Sequence, residues 1–173
     1  GPRYGERVAL TGLPAHVPRA FLAAEDRRFY QHGPIDLRGI ARAAWANQRA
    51  GRVVQGGSTL SQQLAKDLFL TPDQTLKRKL QEAVLAWRLE RDMTKDEVLE
   101  LYLNRIFFGA NAYGLDGAAR TYFDKPAGRL TLADSTAISP DARRELRRLA
   151  RRAGRPAVLI CFDVPLSACL RNN

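Results

Sequence analysis

The sequence predicts a mainly α-helical protein, and three observations support this fold class. Apolar residues recur at helical spacing through most of residues 1–138. Strand-type alternation is nearly absent before residue 156, and only residues 157–162 resemble a buried strand. The 173 residues are 45% hydrophobic and 27% charged, which is typical of a folded globular domain and excludes disordered and collagen-like chains.

Two helices are predicted in the first third of the chain. The first spans residues 18–31, because proline suits the first turn of a helix and several residues share one face at i, i+3 and i+4 spacing. These residues are Phe21, Leu22, Glu25 and Phe29. The second helix ends near Gly51, on the spacing of Ile40, Ala43, Ala44 and Asn47.

Three further helices are predicted after a loop at residues 52–57. Ser58 or Thr59 provides an N-cap for the third, in which leucine recurs every four residues. A break at residues 71–73 precedes the fourth, and its apolar face comprises Leu76, Leu80, Ala83, Val84 and Trp87. Thr94 and Glu97 form a capping box that opens the fifth, and residues 109–117 are predicted to be a glycine-rich loop.

The net charge of +10 favours an anionic partner, whether phosphate, nucleic acid or an anionic membrane. Residues 140–173 carry half of it, with eight arginines and three acidic residues. No segment approaches the roughly 20 apolar residues needed to cross a bilayer. We interpret the chain as a fragment whose membrane anchor or export signal lies upstream.

Glu25 is the first candidate catalytic residue. The predicted helix places it beside Phe21, Leu22 and Phe29, and a carboxylate partly removed from water in this way acts as a general base or a general acid. The alternative is an ordinary solvated glutamate, with the neighbouring Asp26 as a paired carboxylate. Spacing alone leaves both interpretations open.

The second candidate site is a charged cluster around Arg78, Lys79 and Glu82, which lie together at i, i+3 and i+4 spacing. Lys66 and the hydroxyl groups of Ser58 and Thr59 at a helix N-terminus would complete a site for a diphosphate. A solvated Lys/Glu face is the alternative. Amide side chains at Gln62, Gln63 and Asn104 are suited either to bind a sugar or to lie on the surface.

Four strings in these regions resemble the signatures of the peptidoglycan glycosyltransferases, glycosyltransferase family 51, found in class A penicillin-binding proteins and monofunctional transglycosylases. Residues 25–33 (EDRRFYQHG) resemble the first signature and residues 56–66 (GGSTLSQQLAK) the second. Residues 78–82 (RKLQE) match the third, and residues 95–104, ending in LYLN, match the fourth. The signatures occur in the order found in the family, over residues 17–138.

This resemblance implies a lysozyme-like fold with a larger lobe and a smaller, membrane-facing lobe. The implied substrates are lipid II and a growing polyprenyl-linked glycan strand, at the outer face of the cytoplasmic membrane of a bacterial cell envelope, alongside other cell-wall synthesis proteins. Glu25 would be the general base, and Glu82 would assist departure of the diphosphate, directly or through Mg²⁺ or Mn²⁺. The residues implied to bind substrate are Asp26, Ser58, Thr59, Gln62, Gln63, Lys66, Arg78, Lys79 and, more weakly, Asn104.

The sequence departs from the family pattern in three places. Asp67 stands where the family usually has asparagine, and Asp124 where glycine commonly occurs. The fifth signature begins at Leu130 and stops after Ile138. We therefore predict a glycosyltransferase domain at residues 1–138 and a divergent segment at 139–173, in which an arginine-rich helix precedes a strand similar to one in P-loop polynucleotide kinases. This segment lacks a phosphate-binding loop, and we interpret it as a non-native junction.

Three other functions remain open at this point. A lysozyme-like hydrolase would use Glu25 as an acid but would not need the cationic cluster. A nucleic-acid-binding module built on the arginine-rich end is disfavoured, because that segment has only one aromatic residue, Phe162. An inactive remnant that binds lipid diphosphate would keep the same residues in a different geometry.

Overall fold

The computed structural model describes residues 1, 3–54, 56–69 and 75–138. Seven α-helices lie within these ranges, together with a three-stranded sheet. The helices are α1 (His16–Glu25), α2 (Leu37–Ala50), α3 (Leu60–Phe69), α4 (Leu76–Asp92), α5 (Lys95–Arg105), α6 (Gly114–Phe123) and α7 (Leu132–Ile138). The strands are β1 (Arg3–Tyr4), β2 (Phe107–Gly109) and β3 (Ala112–Tyr113). The mainly α fold class is confirmed.

Helix α3 lies at the centre of the molecule. Leu60, Leu64 and Ala65 on this helix are at most 1% exposed. Leu60 and Leu64 join a single apolar core with side chains from α1, α5, α6 and α7, among them Phe21, Leu99, Leu103, Leu115 and Ile138. Because α3 is held from several sides, the residues at its N-terminal end have fixed positions relative to α1 and α4.

The first helix is shorter than predicted. It ends at Glu25, because Asp26 leaves the helical conformation with φ −157° and ψ 80°, and a separate turn of 3₁₀ helix follows at Phe29–Gln31. The carboxylate of Asp26 accepts hydrogen bonds from outside its own helix, which stabilise this break. The chain therefore turns immediately after the candidate base.

Three local predictions are confirmed. Helix α2 ends at Ala50 and is followed by Gly51, whose φ of 61° is readily adopted by glycine. Thr59 precedes α3 and its hydroxyl oxygen accepts a hydrogen bond from the backbone N–H of Gln62. Thr94 and Glu97 form the predicted capping box at the start of α5. Each of these signals depends on residues within four positions of one another.

The predicted loop at residues 109–117 is wrong. Strands β2 and β3 form a hairpin whose turn residues Ala110 and Asn111 have φ of 47° and 60°, and α6 begins at Gly114. Strand β1 pairs with β3 in parallel, giving the order β1-β3-β2. A Cβ at Gly117 would lie 2.9 Å from the carbonyl oxygen of Arg3, so this glycine permits close packing inside a helix.

The predicted apolar face of α4 lies largely in solvent. Leu76, Leu80, Val84 and Trp87 are between 53% and 87% exposed, whereas Glu82 and Ala86 are buried. The helix therefore packs through a face that carries an acidic residue, and its apolar stripe is left on the surface. The predicted break at residues 71–73, and the helix and strand predicted after residue 138, lie outside the described residues.

We expect Gly114→Ala to destabilise the protein. Gly114 has φ of 72°, and an added Cβ would lie 2.7 Å from the backbone carbonyl oxygen of Asn104. Left-handed backbone at a non-glycine residue costs about 1–3 kcal/mol, and this contact adds to that cost. Thermal and denaturant unfolding would measure the loss. Gly12→Ala is the control, because a Cβ there has no atom within 4 Å; equal stability of the two variants would contradict the prediction.

Candidate active site

The segment that leads into α3 is held by its own side chains. The backbone N–H of Thr59 donates to Oε1 of Gln62 at 3.1 Å, and the Thr59 hydroxyl donates to the carbonyl oxygen of Pro34 at 2.8 Å. Thr59 and Gln62 are only 2% and 3% exposed. Sequence reasoning placed both in the substrate cleft, whereas the structure engages their polar groups within the protein. They shape the site by fixing the entry to α3.

Asp26 connects the first signature to the second. Its Oδ2 accepts a hydrogen bond from the backbone N–H of Leu60 at 3.1 Å, and its Oδ1 lies 2.7 Å from Nε2 of His32. An N–H at the first turn of a helix has no partner within the helix, so a carboxylate placed there satisfies it and also interacts favourably with the helix dipole. Asp26 therefore positions the N-terminal end of α3 beside Glu25.

Glu25 is the last residue of α1 and is partly buried. Its Oε2 accepts a hydrogen bond from Nε2 of Gln63 at 3.3 Å, across 38 residues of sequence. A carboxylate at the C-terminal end of a helix gains no stabilisation from the helix dipole. The hydrogen bond from Gln63 orients this carboxylate, as is needed for a group that accepts a proton in a fixed direction.

Glu82 lies in a different environment, because two cations surround it. Its carboxylate is 4% exposed, with Nζ of Lys79 at 2.7 Å and a guanidinium nitrogen of Arg78 at 3.4 Å. Lys79 also donates to the hydroxyl oxygen of Ser58 at 2.7 Å, which joins α4 to the segment before α3. A buried carboxylate requires such partners. The predicted cluster of Ser58, Arg78, Lys79 and Glu82 is brought together as a cationic end of the site.

Lys66 and Asp67 are exposed on the second half of α3. Partial burial raises the pKa of the Asp67 carboxyl, Lys66 opposes this effect, and the negative charge of Glu82 adds to it. The electrostatic influence of Glu82 indicates that Asp67 faces the cationic end of the site. The departure from asparagine at this position therefore adds negative charge where a diphosphate is expected.

Asn104 serves the scaffold. Its Oδ1 accepts from the backbone N–H of Val8 and its Nδ2 donates to the carbonyl oxygen of Val8, both at 2.8 Å. The same Nδ2 also donates to the carbonyl oxygen of Glu100 at 2.7 Å. These bonds attach the N-terminal segment to α5, so the side chain holds backbone in place in this structure.

Sequence reasoning assigned no role to two groups that support the site. His32 is 5% exposed beside Asp26. The buried hydroxyl of Ser61 donates to Glu90, which pairs with Lys95 at 2.8 Å, and Lys95 lies 4.3 Å from the centre of the Phe29 ring. The Ser61 and Lys95 contacts join residues distant in sequence, and the contact of His32 with Asp26 depends on the turn between them, so helical spacing indicates neither group.

The donors around Glu82 determine whether a divalent cation fits. Arg78 and Lys79 already pair with this carboxylate, and the described part of the chain contains no group of three or more His, Cys, Asp or Glu side chains placed to hold a metal ion. Mg²⁺ is commonly bound by one or two carboxylates together with substrate phosphates and water. These residues therefore fit a cation only in company with a bound diphosphate, where Glu82 would supply one ligand.

Comparisons with known proteins agree with this arrangement. The family model described as Transglycosylase matches residues 2–145. The chain is 50% identical over 132 residues to penicillin-binding protein 1A of Aquifex aeolicus, which covers 76% of this chain and 18% of the relative. It is 47% identical over 141 residues to penicillin-binding protein 1A of Escherichia coli, covering 79% and 17%. Penicillin-binding protein 1F of Bacillus subtilis is 44% identical over 134 residues, covering 78% and 19%.

The fold and the site define a class of protein. It is a helical domain whose site has a carboxylate bound to an amide at one end and cations at the other end. The chain belongs to the transglycosylase family. This confirms the resemblance drawn from the four signatures and the lysozyme-like class of fold that it implies. The chain spans less than a fifth of the length of these relatives.

Proposed function

We propose that this domain polymerises lipid II into glycan strands, as a peptidoglycan glycosyltransferase. The carrying observation is that the site holds two glutamates whose carboxylates have different observed partners. Glu25 accepts a hydrogen bond from a neutral amide, whereas Glu82 lies between Arg78 and Lys79. An inverting displacement with a diphosphate leaving group needs these two environments, a base for the acceptor and positive charge for the leaving group.

In the proposed reaction, Glu25 removes the proton from the 4-hydroxyl group of the GlcNAc unit of lipid II. The oxygen attacks the anomeric carbon of the terminal MurNAc of the growing strand, with inversion. The bond from that carbon to the diphosphate breaks, and polyprenyl diphosphate leaves with the bonding electrons. Lys79, Arg78 and Lys66 stabilise the negative charge on the departing phosphates. The proton on Glu25 then passes to water.

We also propose that Mg²⁺ or Mn²⁺ accompanies the diphosphate. The cation would offset charge on the phosphate oxygens, with Glu82 as its protein ligand. A hydrolase of neutral glycosidic bonds is less well supported, because it would have no use for the cations paired with Glu82.

The surface of α2 supports a location at a membrane. Leu37, Trp45 and Val53 are between 64% and 83% exposed on this helix and the segment after it. Four exposed arginines lie in the same stretch, namely Arg38, Arg42, Arg49 and Arg52, and the Arg49 guanidinium is 5.8 Å from the centre of the Trp45 ring. Exposed apolar groups with arginines are typical of helices that lie in the headgroup region of anionic bilayers. We propose that this surface is the membrane-facing side, at the outer face of the cytoplasmic membrane.

Within the described residues, no helix combines the length and the apolar character needed to span a bilayer.

The central test is polymerisation of labelled lipid II by this chain in detergent with Mg²⁺, read as a ladder of glycan products. We expect Glu25→Gln to lower the rate by about 10²–10⁴-fold, because the amide cannot accept the proton. Glu82→Gln should lower it less, since the cations remain. Glu6→Gln is the control, on an exposed side chain remote in sequence from both glutamates. Glycan synthesis by Glu25→Gln at the wild-type rate would exclude the mechanism.

The cationic end is tested by Lys79→Met. The loss of one charged hydrogen-bond donor should raise the KM for lipid II about tenfold to a hundredfold, because such bonds contribute about 1.5–3 kcal/mol. Folding should be retained, because Arg78 still pairs with Glu82. Lys77→Met is the matched control, because Lys77 is exposed on the same helix and lies two residues before Lys79. If both variants change KM equally, Lys79 has no specific role at the diphosphate.

Membrane binding is tested with vesicles of phosphatidylglycerol and of phosphatidylcholine. We expect stronger sedimentation with the anionic vesicles, and an affinity about tenfold lower for the double variant Leu37→Ser/Trp45→Ser, because two exposed apolar anchors are lost. Leu132→Ser removes an apolar side chain that is 51% exposed on α7 and serves as the control. Unchanged binding of the double variant would show that another surface meets the membrane.

A further inference from the structure

His32 lies between two hydrogen-bond acceptors. Its Nδ1 is 2.6 Å from the carbonyl oxygen of Gly33, and its Nε2 is 2.7 Å from Oδ1 of Asp26. The side chains of His32 and Asp26 are only 5% and 7% exposed, whereas Gly33 is an exposed residue. A carbonyl oxygen and an ionised carboxylate accept hydrogen bonds and cannot donate them.

This arrangement determines the protonation of the ring. A neutral imidazole has one N–H and one nitrogen with a lone pair, so one of its nitrogens would face an acceptor with nothing to donate. An imidazolium donates from both nitrogens and satisfies both partners. Because two lone pairs that face each other at hydrogen-bond distance repel, the observed geometry favours the imidazolium.

The charges near His32 favour the same form. The carboxylate of Asp26 is in direct contact with the ring, and Asp36 is a second carboxylate close enough to interact electrostatically with His32. Asp36 in turn pairs with Arg28 at 3.1 Å and is influenced by Arg42. Among the described residues, the His32 ring therefore contacts the carboxylate of Asp26 directly. The positive charges of Arg28 and Arg42 act on the carboxylate of Asp36.

A series of hydrogen bonds links His32 to the candidate base Glu25. The second oxygen of Asp26 accepts from the N–H of Leu60 at the start of α3, and Gln63 on α3 bonds to Glu25. Glu25 itself is the residue before Asp26. We propose that His32 is a positioning residue that works as an imidazolium, holding Asp26 and, through it, the N-terminal end of α3 and Glu25 in the geometry that the reaction needs. The kinetic part of this proposal rests on the proposed glycosyltransferase function.

The proposal has a defined pH dependence. Glu25 must be ionised to accept a proton, so activity rises with pH through the range in which glutamates ionise, ordinarily near 4.3. His32 must be protonated, so activity falls when a higher pH removes its second proton. Tyr30, two residues away, is not responsible, because burial and Asp96 raise its pKa to about 12.

The protonation of His32 is measured directly by ¹⁵N NMR of the histidine-labelled chain. The chain has two histidines, so His16→Gln leaves the His32 signals alone and assigns them. At pH 7, where an unperturbed histidine is mostly neutral, we expect both ring nitrogens of His32 to show the chemical shifts of protonated nitrogen. One protonated and one unprotonated nitrogen at pH 7 would overturn the proposal. This measurement does not depend on any enzymatic activity.

The positioning role is tested by the rate of glycan synthesis between pH 5.5 and 9.5 for the wild type, His32→Gln and His16→Gln. Glutamine retains a donor for Asp26 but does not titrate. We expect its rate at pH 6 to lie within about tenfold of the wild-type rate, and the fall at alkaline pH to be absent. His16→Gln should keep the wild-type profile, because His16 contacts the carbonyl oxygen of Leu130 at the other end of α1.

Identical alkaline falls in the wild type and His32→Gln would overturn the positioning role. Circular dichroism shows whether the variant is folded, and if it is not, the NMR measurement on the wild type decides the protonation of His32. If no variant makes glycan at any pH, the proposed glycosyltransferase function fails, and the NMR result still confirms or overturns the imidazolium.

Discussion

The carboxylate of Asp26 is the interaction on which the candidate site depends. It satisfies the N–H of Leu60 across 34 residues of sequence and contacts His32 with its other oxygen. These two bonds end α1 at Glu25 and bring the start of α3 beside it. If Asp26 continued the helix, as the apolar spacing of residues 18–31 predicts, Glu25 would lie in the middle of a helix and α3 would lose the group that satisfies its first turn. The break in α1 is therefore part of the construction of the site.

The cationic end of the site combines folding and binding in the same side chains. Glu82 is buried between packed helices, and a buried carboxylate without partners would be strongly destabilising. Arg78 and Lys79 provide these partners and remain accessible to different degrees, with 15% and 49% of their side chains exposed. In the proposed reaction both cations face the diphosphate, and Lys79, the more exposed of the two, turns toward it more readily than Arg78. Glu82 thus positions two cations by pairing with both of them. The carboxyl of Asp67 interacts electrostatically with Glu82 and reduces the net positive charge of this cluster.

Local sequence signals predicted those parts of the structure whose causes are local. The cap at Thr59, the capping box at Thr94 and the glycine after α2 were predictable because each involves residues within four positions. The hairpin and α6 were not, because Gly114 and Gly117 indicate a loop when taken alone, and their actual role is close contact with Asn104 and Arg3. The exposed apolar stripe of α4 was misjudged for a similar reason, since periodicity identifies a face without showing what lies against it. For the site, the pairing of Lys79 with Glu82 follows from helical spacing, whereas the contact between Glu25 and Gln63 spans 38 residues and has no local signal.

The structure also divides the signature residues by what they touch. Thr59 and Asn104 place polar atoms on backbone groups, and the amide oxygen of Gln62 accepts from the N–H of Thr59, so these side chains hold the scaffold. Glu25, Lys79 and Arg78 are the residues to which the proposed function gives contact with the substrate. Asp26 and His32 belong to neither group, because they are buried against each other and yet adjoin the candidate base. Residues of all three kinds are expected where a site is assembled from separate helices, because the groups proposed to meet the substrate keep their geometry only if other contacts hold the helices that carry them.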